Sequence, residues 1–383
     1  MRKIVNNSRV KRYIFDTILT DLKKKMVIIT GPRQVGKTYL CKQVLSEFKN
    51  PQYLNYDSLD DVKIITGRSW PINSGLLAFD EIHKMKGWKP YLKGAYDTKP
   101  SGQSILVTGS SRLDLFRQSG ESLAGRYFHY RLNPITVKEA GGMPPYEALE
   151  LLNKLGGFPE PFLSGSEEQA ARWRRQYYTD IVREDILEFS KIQEIRAIRL
   201  LLEMLRERVG SPLSFASIAG DLQVSPNTAR KYIQILESLY IIFLVRPFHG
   251  NIARAVLKEP KVYFYDSGYV KGNDGIRLEN TCALSLLKHV QHLQDTKGAD
   301  IDLFYIRTKD GREVDFALAS EKRLEYIIEV KQSDENISPA LRFFYKKAAP
   351  NKALQLVHNI RRERHEDGID VVSAGAWLAG LSA

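Results

Sequence analysis

Cysteine is nearly missing from this chain. Cys41 and Cys282 are the only two in 383 residues, and they stand far apart with no CxxC spacing. A disulfide framework and a thiolate zinc site are therefore excluded, and a reducing cytoplasm is the expected setting. Long apolar runs are missing too. The longest, LYIIFLV at 239–245, is far too short to span a bilayer. The opening MRKIVNNSRVKRY lacks the apolar stretch of a signal peptide, so no membrane partner is expected. There is no internal repeat and no low-complexity tract. Acid is short relative to base: 45 Asp and Glu against 57 Lys and Arg leave a formal charge of +12, which favours a polyanionic partner such as nucleic acid. With 43% hydrophobic and 27% charged residues the chain should be globular, and its length suggests two to four domains.

Against these absences one motif stands out. GPRQVGKT, residues 31–38, matches the G-x4-G-K-S/T phosphate loop without exception. A buried-strand pattern, MVIIT, precedes it. The following helix pattern has Leu40, Val44 and Phe48 at helical spacing. The chemistry needs that order. Gly31 and Gly36 let the backbone wrap a phosphate, and amides at the helix start donate to its oxygens. Lys37 neutralises the β and γ phosphates, and Thr38 offers a hydroxyl to Mg²⁺. The expected nucleotide-binding segment is Gly31, Pro32, Arg33, Gln34, Val35, Gly36, Lys37, Thr38 and Tyr39.

In LLAFDEIH, 76–83, an apolar strand ends in Asp80, placed to hold Mg²⁺ with Thr38. Glu81 beside it is the candidate general base for the attacking water. After the strand QSILVTGSS, Ser110 or Ser111 could bond the water or γ-phosphate, although a plain turn explains the same letters. A helix is expected over RLDLFRQSGESLAGR. Arg126 at its end is either a residue facing a neighbouring subunit's nucleotide or one half of a structural salt bridge. Strands at 26–30, 52–57, 76–80, 104–109 and 127–132 give residues 1–135 the fold of a P-loop NTPase, a mostly parallel, three-layer sheet. SRVKRYIFDTILTDLKKK should pack on it as an amphipathic helix.

Residues 136–205 read as helical, interrupted by GGFPEPF. In WRRQYYTDIVREDILEFSK the aromatic residues are expected in the core and the charges on a wet face. Between 213 and 245 a short helix, a three-residue turn, a Ser225-Pro226 helix start and a strand give a winged helix-turn-helix pattern, expected as a module over 206–255. Its second helix turns Thr228, Arg230 and Lys231 outward. These are candidate contacts to double-stranded DNA, and a winged helix used only for packing or protein contacts is the competing reading.

Near the other end, FYIRT and REVDFALA flank a Lys309-Asp310-Gly311 hairpin turn, and EYIIEVKQ follows as a third strand. Alternation puts Glu329 and Lys331 on one face, where Asp315 on the adjacent strand could meet them. Asp315 and Glu329 would hold a second Mg²⁺, Lys331 would lower the pKa of a metal-bound water or stabilise a pentavalent phosphate, and Glu279, at the start of a helix, could add a carboxylate. An α/β restriction-endonuclease-like domain is expected for 256–383.

GPRQVGKT, LLAFDEIH, TGSS, ESLAGR, GGFPE, KVYFYDSG, RLEN and REVDF followed by IIEVK occur in that order. Together they resemble the prokaryotic AAA-family ATP-binding proteins whose C-terminal half is an uncharacterised, nuclease-like domain. The resemblance implies ATP and Mg²⁺ at Lys37, Thr38, Asp80 and Glu81, and a nuclease-like site at Asp315, Glu329 and Lys331. His83 departs from the Gln that such proteins often carry. The expectation is an ATPase acting as a nucleotide-driven switch on DNA held by its basic C-terminal half, with a homo-oligomer as a possible assembly. The competing expectations are an ATP-regulated, Mg²⁺-dependent endonuclease and a non-catalytic nucleotide-dependent scaffold for a protein partner.

Overall fold

The computed structural model describes residues 10–109, 123–181, 192–248, 259–320 and 323–383. Ser110, Ser111 and most of the helix expected over 112–126 lie outside the described residues. Packing divides the chain into two compact units: residues 11–133 with 295–297, and residues 134–294 with 298–383.

In the first unit, β1 (Met26–Thr30) is buried along its whole length, as an apolar strand covered on both faces should be. With β2 (Gln52–Asn55), β3 (Leu76–Asp80), β4 (Ser104–Thr108) and β5 (Tyr127–Arg131) it forms a five-stranded sheet in the order β2-β3-β4-β1-β5, every pairing parallel. The expected strands are all present, three of them one or two residues shorter at the carboxyl end. Among the described residues four helices connect or cover them: α1 (Phe15–Asp21), α2 (Lys37–Leu45), α3 (Leu59–Gly67) and α4 (Trp88–Asp97). Ile28, Phe79, Leu92 and Val107 close one core layer. Because β1 and β3 flank β4, their carboxyl ends bring the phosphate loop and Asp80 to the same edge of the sheet, where ligands of open α/β sheets bind.

The second unit begins with helices α5 (Pro145–Leu155), α6 (Pro159–Ser164), α7 (Glu167–Asp180) and α8 (Ile192–Arg206). The two helices expected of the helix-turn-helix pattern follow as α9 (Phe215–Asp221) and α10 (Pro226–Ser238). Ser225 caps α10 by accepting from Thr228 N at 3.1 Å, and Pro226 supplies the first turn. Then come β6 (Ile242–Pro247), β7 (Lys261–Phe264), α11 (Asp274–Lys297), β8 (Asp302–Arg307), β9 (Glu313–Ala319), β10 (Leu324–Lys331), α12 (Pro339–Ala348), β11 (Lys352–Val357), β12 (Arg364–Glu366), β13 (Ile369–Ser373) and α13 (Ala374–Ala379). The strands join in one mixed sheet, ordered β12-β13-β11-β10-β9-β8-β6-β7.

That order differs from the expected modules in one respect. The wing-like strand β6 is not set apart from the following domain: it pairs antiparallel with β7 and parallel with β8, where Arg246 aligns with Phe304. Residues 134–294 and 298–383 accordingly fall in one compact unit. The physical reason is the apolar run itself. Ile242, Phe243 and Val245 are all buried, and a strand apolar on both faces lowers its free energy by continuing a sheet, not by projecting into water. The hairpin between β8 and β9 is present, with Gly311 at φ 87°, and β10 lies antiparallel to β9. Among the described residues no helix is long and apolar enough to cross a membrane.

Candidate functional site

The phosphate loop leaves β1 at Gly31, whose φ of 149° places the chain against Leu132. A Cβ built there would lie 2.2 Å from the Leu132 carbonyl oxygen. Gly36, at φ 97°, caps α2, so the first turn of that helix opens onto the loop with its backbone amides unspent on side-chain caps. Lys37 Nζ donates to the carbonyls of Gly31 at 2.9 Å and Pro32 at 2.6 Å. Those oxygens hold the ammonium at the mouth of the loop, where phosphate oxygens would take their place. Behind the loop, buried Arg12 donates to Val35 O at 2.7 Å and also to Asn133 O. Arg12 is a brace that motif reading overlooked, since it lies far upstream and belongs to no motif.

Thr38 Oγ1 donates to Asp80 Oδ2 at 3.1 Å. Asp80 is only 5% exposed and is held from two further sides, by Tyr53 OH on Oδ2 at 2.6 Å and by Thr108 Oγ1 on Oδ1 at 2.6 Å. A hydroxyl and a carboxylate in contact at the phosphate loop are oxygen donors suited to a hard cation, so these residues fit Mg²⁺ bound with a nucleotide. Tyr53 and Thr108 were also overlooked. Both lie at or near the ends of strands adjoining β3, a signal that only the strand order supplies. Glu81 leaves β3 in the left-handed region, at φ 54°. Burial raises its carboxyl above the usual range, Lys37 opposes that shift and Asp80 adds to it. His83 Nε2 lies 3.6 Å from Glu81 Oε2, so the residue that replaces the expected Gln touches the candidate base.

Arg126 is placed otherwise than a nucleotide-facing residue of its own site. It precedes β5, and β5 runs parallel to β1, so Arg126 lies at the amino end of the sheet while the phosphate loop lies at the carboxyl end. Its guanidinium forms a two-pronged pair with Asp97, at 2.8 and 3.0 Å.

The candidate DNA contacts on α10 are engaged locally. Arg230 lies over the Phe215 ring at 5.0 Å, Lys231 Nζ is 3.6 Å from Glu194, and Thr228 shares a 2.9 Å hydrogen bond with Ser225. Arg230 and Lys231 remain exposed.

On the second sheet the expected carboxylates do converge. Asp315 Oδ2 accepts from Val330 N at 2.8 Å, and Lys331 Nζ is 2.7 Å from Glu329 Oε1. Glu329 is 5% exposed, and its Oε2 has no hydrogen-bond partner among the described residues. The residue that sequence reading left unassigned is Lys261, on β7. It is 1% exposed, and its ammonium lies 2.7 Å from Glu313, 3.5 Å from Glu279 and 3.8 Å from Asp315. Tyr263 OH donates to Glu279 at 2.7 Å. Four buried or half-buried acids thus surround two lysines. Burial and the Asp315 charge push both Glu279 and Glu329 up to about 7, opposed by Lys261 and Lys331 respectively. Burial lowers the Lys261 ammonium, but Glu279, Asp315 and Glu313 together hold it well above its ordinary range. Among the described residues no group of three or more His, Cys, Asp or Glu side chains is arranged to hold a metal ion. The second Mg²⁺ expected at Asp315 and Glu329 would share Asp315 with the Lys261 ammonium, which also lies beside Glu279 and Glu313.

Comparison with known proteins gives three family matches: an AAA domain over residues 23–141, and two families described as domains of unknown function, DUF8612 over 147–277 and DUF4143 over 274–377. The chain is 29% identical over 329 residues to an uncharacterised protein of Mycobacterium tuberculosis, covering 83% of this chain and 73% of that one. To an uncharacterised protein of Methanocaldococcus jannaschii it is 27% identical over 337 residues, covering 79% of this chain and 74% of that one. Among solved structures, a signal transduction ATPase with numerous domains from Pyrococcus horikoshii aligns at TM-score 0.30 and 13% identity, over 76% of this chain and 48% of that one. This chain thus spans about half the length of that ATPase. The match at 23–141 falls on the parallel sheet, the phosphate loop and the Asp80 cluster, so that part of the chain is similar to an AAA domain.

Proposed function

We propose that the chain binds Mg²⁺-ATP between the phosphate loop and Asp80 and hydrolyses it, with the nucleotide cycle controlling how residues 134–383 hold DNA. The observation that carries the first part is the contact of Thr38 with Asp80 beside the Lys37 ammonium. Lys37 binds the β and γ phosphates. Thr38 and Asp80 hold the cation, which when bound neutralises charge on the phosphate oxygens. Glu81, its carboxyl raised by burial, takes a proton from the attacking water. Thr108 and Tyr53 keep Asp80 oriented. The test is phosphate release together with nucleotide affinity. Lys37→Ala removes binding, whereas Glu81→Gln keeps binding and loses turnover; unchanged turnover in Glu81→Gln would remove Glu81 from the mechanism.

The DNA part of the reading rests on the charge of +12 and on α10, which presents Arg230 and Lys231 to solvent. Duplex affinity measured with ATP, with ADP and without nucleotide tests it: equal affinity in all three would end the switch. A second reading, a DNA endonuclease, is favoured by the meeting of Asp315, Glu329 and Lys331. Nicking of supercoiled plasmid that disappears in Glu329→Ala would establish it, and no nicking with Mg²⁺ or Mn²⁺ would leave the cluster as part of the binding unit. Arg126 acts on a neighbouring copy's nucleotide only if its pair with Asp97 opens.

A further inference from the structure

Helices α7 and α8 face each other across an open cavity of about 1040 Å³ in the second unit. Its lining is periodic on both sides. Arg172, Arg175 and Thr179 come from α7, and Arg199, Glu203 and Arg206 from α8, each set spaced by threes and fours so that one helical face looks inward. Arg174 adds a fifth guanidinium, and Glu203 is the only carboxylate among the described lining residues. Sequence reading expects the charges of WRRQYYTD on a wet face; the fold gathers them around a hollow.

The floor is built. Arg174 is 2.8 Å from Asp266, a carboxylate with no exposure at all. Two glycines make room for this pair. A Cβ on Gly268 would lie 1.8 Å from the Arg174 guanidinium, and one on Gly156 would lie 2.0 Å from Asp266. On the other wall Arg206 pairs with Glu203 at 2.7 Å and lies 3.9 Å over the Tyr269 ring. Arg172, Arg175 and Arg199 are exposed and have no ion-pair partner among the described residues. Among the described residues these three guanidiniums meet no carboxylate, and guanidinium forks match the oxygens of a phosphate entering the cavity.

The aromatic residues narrow the ligand further. Tyr269 stacks on Tyr178 at 3.7 Å on one face and carries Arg206 on the other, so neither face is left for a base. The cavity offers charge without a stacking platform. Arg172 and Arg175 on one helix and Arg199 on the other spread their charge over two walls of a cavity of about 1040 Å³, room for more than one linked phosphate. We propose that this cavity binds the sugar-phosphate backbone of a single nucleic-acid strand, without reading its bases. The proposal rests on the reading that residues 134–383 hold nucleic acid, and it adds a second contact apart from α10.

The test uses the full chain, a short fluorescent mixed-sequence single strand, the matching duplex, and inorganic polyphosphate as competitor. The variants are Arg172→Ala/Arg175→Ala/Arg199→Ala and, separately, Arg230→Ala/Lys231→Ala. Their side chains are exposed, so both should fold, which unchanged thermal unfolding checks. In the triple variant, single-strand affinity should fall at least about tenfold, and the slope of log K against log salt should become about 2 less steep, at about 0.7 for each phosphate that is no longer neutralised. Affinity should be equal for pyrimidine and purine strands in the wild type. The α10 variant should lose duplex affinity and keep most single-strand affinity. Unchanged single-strand affinity and slope in the triple variant would overturn the proposal, and duplex binding lost in the α10 variant would show that the broader DNA reading survives it. A wild type that binds no single strand, or one that binds polyphosphate at this cavity in preference to it, would overturn the assignment to nucleic acid.

Discussion

Replacing Lys261 by methionine tests how the second sheet carries its buried charge. Methionine keeps the length and apolar stem of the side chain and removes only the ammonium, so packing loss is small. With an effective dielectric of about 20, the Glu313, Glu279 and Asp315 contacts at 2.7, 3.5 and 3.8 Å correspond to attractions of about 6, 5 and 4 kcal/mol. Desolvating the ammonium offsets several kcal/mol of that, and loss of one partner from a buried ionic cluster costs about 3–5 kcal/mol. Such a loss is expected at pH 8. The pH dependence has a definite sign. Glu279 and Glu329 have folded-state values raised from 4.5 to about 7, so their stability contribution is full below about 4.5 and is lost as pH rises through about 7. Removing Lys261 takes away a cation that opposes this rise. The deficit of the variant should therefore be largest at pH 8 and shrink toward pH 5, where the carboxyls take up protons. Hydrogen exchange of peptides from α11 and β9, followed as urea is raised, reads the stability of this unit by itself. A Lys261→Met variant within about 1 kcal/mol of wild type at pH 8, or equally destabilised at pH 5 and pH 8, would refute an ammonium-centred cluster.

Other outcomes follow from single interactions. Lys288 and Glu139 form a fully buried pair, with the ammonium also donating to Pro134 O at 3.0 Å, so Lys288→Met should destabilise the second unit by about 3–5 kcal/mol in urea unfolding, whereas replacing both residues by apolar ones should cost much less. Gly31→Ala should abolish nucleotide binding measured by calorimetry, since its Cβ meets the Leu132 carbonyl oxygen. Asp80→Asn should weaken Mg²⁺-dependent nucleotide binding far more than binding without metal, because the carboxylate that Thr38, Tyr53 and Thr108 surround loses its charge. Asp97→Asn removes the charge partner of Arg126 at the far end of the sheet and should leave single-chain ATP turnover unchanged; a large drop would assign that end of the sheet a part in the reaction.

How far the sequence could be read depended on distance along the chain. The phosphate loop was legible because strand, glycines, lysine and helix follow one another without interruption, so local geometry alone arranges them. Asp80 and Glu81 were legible because an apolar strand ending in an acid pair has a fixed direction in a parallel sheet. Arg12, Tyr53 and Thr108 were not legible, since each reaches the site from a different element and carries no motif. Arg126 was ambiguous in sequence. Parallel pairing of β5 with β1 decides which end of the sheet it occupies, and Asp97 takes its guanidinium.

The sequence by itself determined the local chemistry: a phosphate loop between strand and helix, a capped second helix in the helix-turn-helix, and a Glu-x-Lys strand beside a hairpin. Spacing of a few residues along a strand or helix dictates those contacts through backbone periodicity. Only the tertiary structure decided that the wing-like strand continues the second sheet, that five arginines from two helices enclose one cavity, and that Lys261 on β7 lies among acids contributed by α11 and by β9, a strand that does not pair with its own. Each of these depends on which elements become neighbours. Burial of apolar faces selects those neighbours collectively, and no local pattern encodes them.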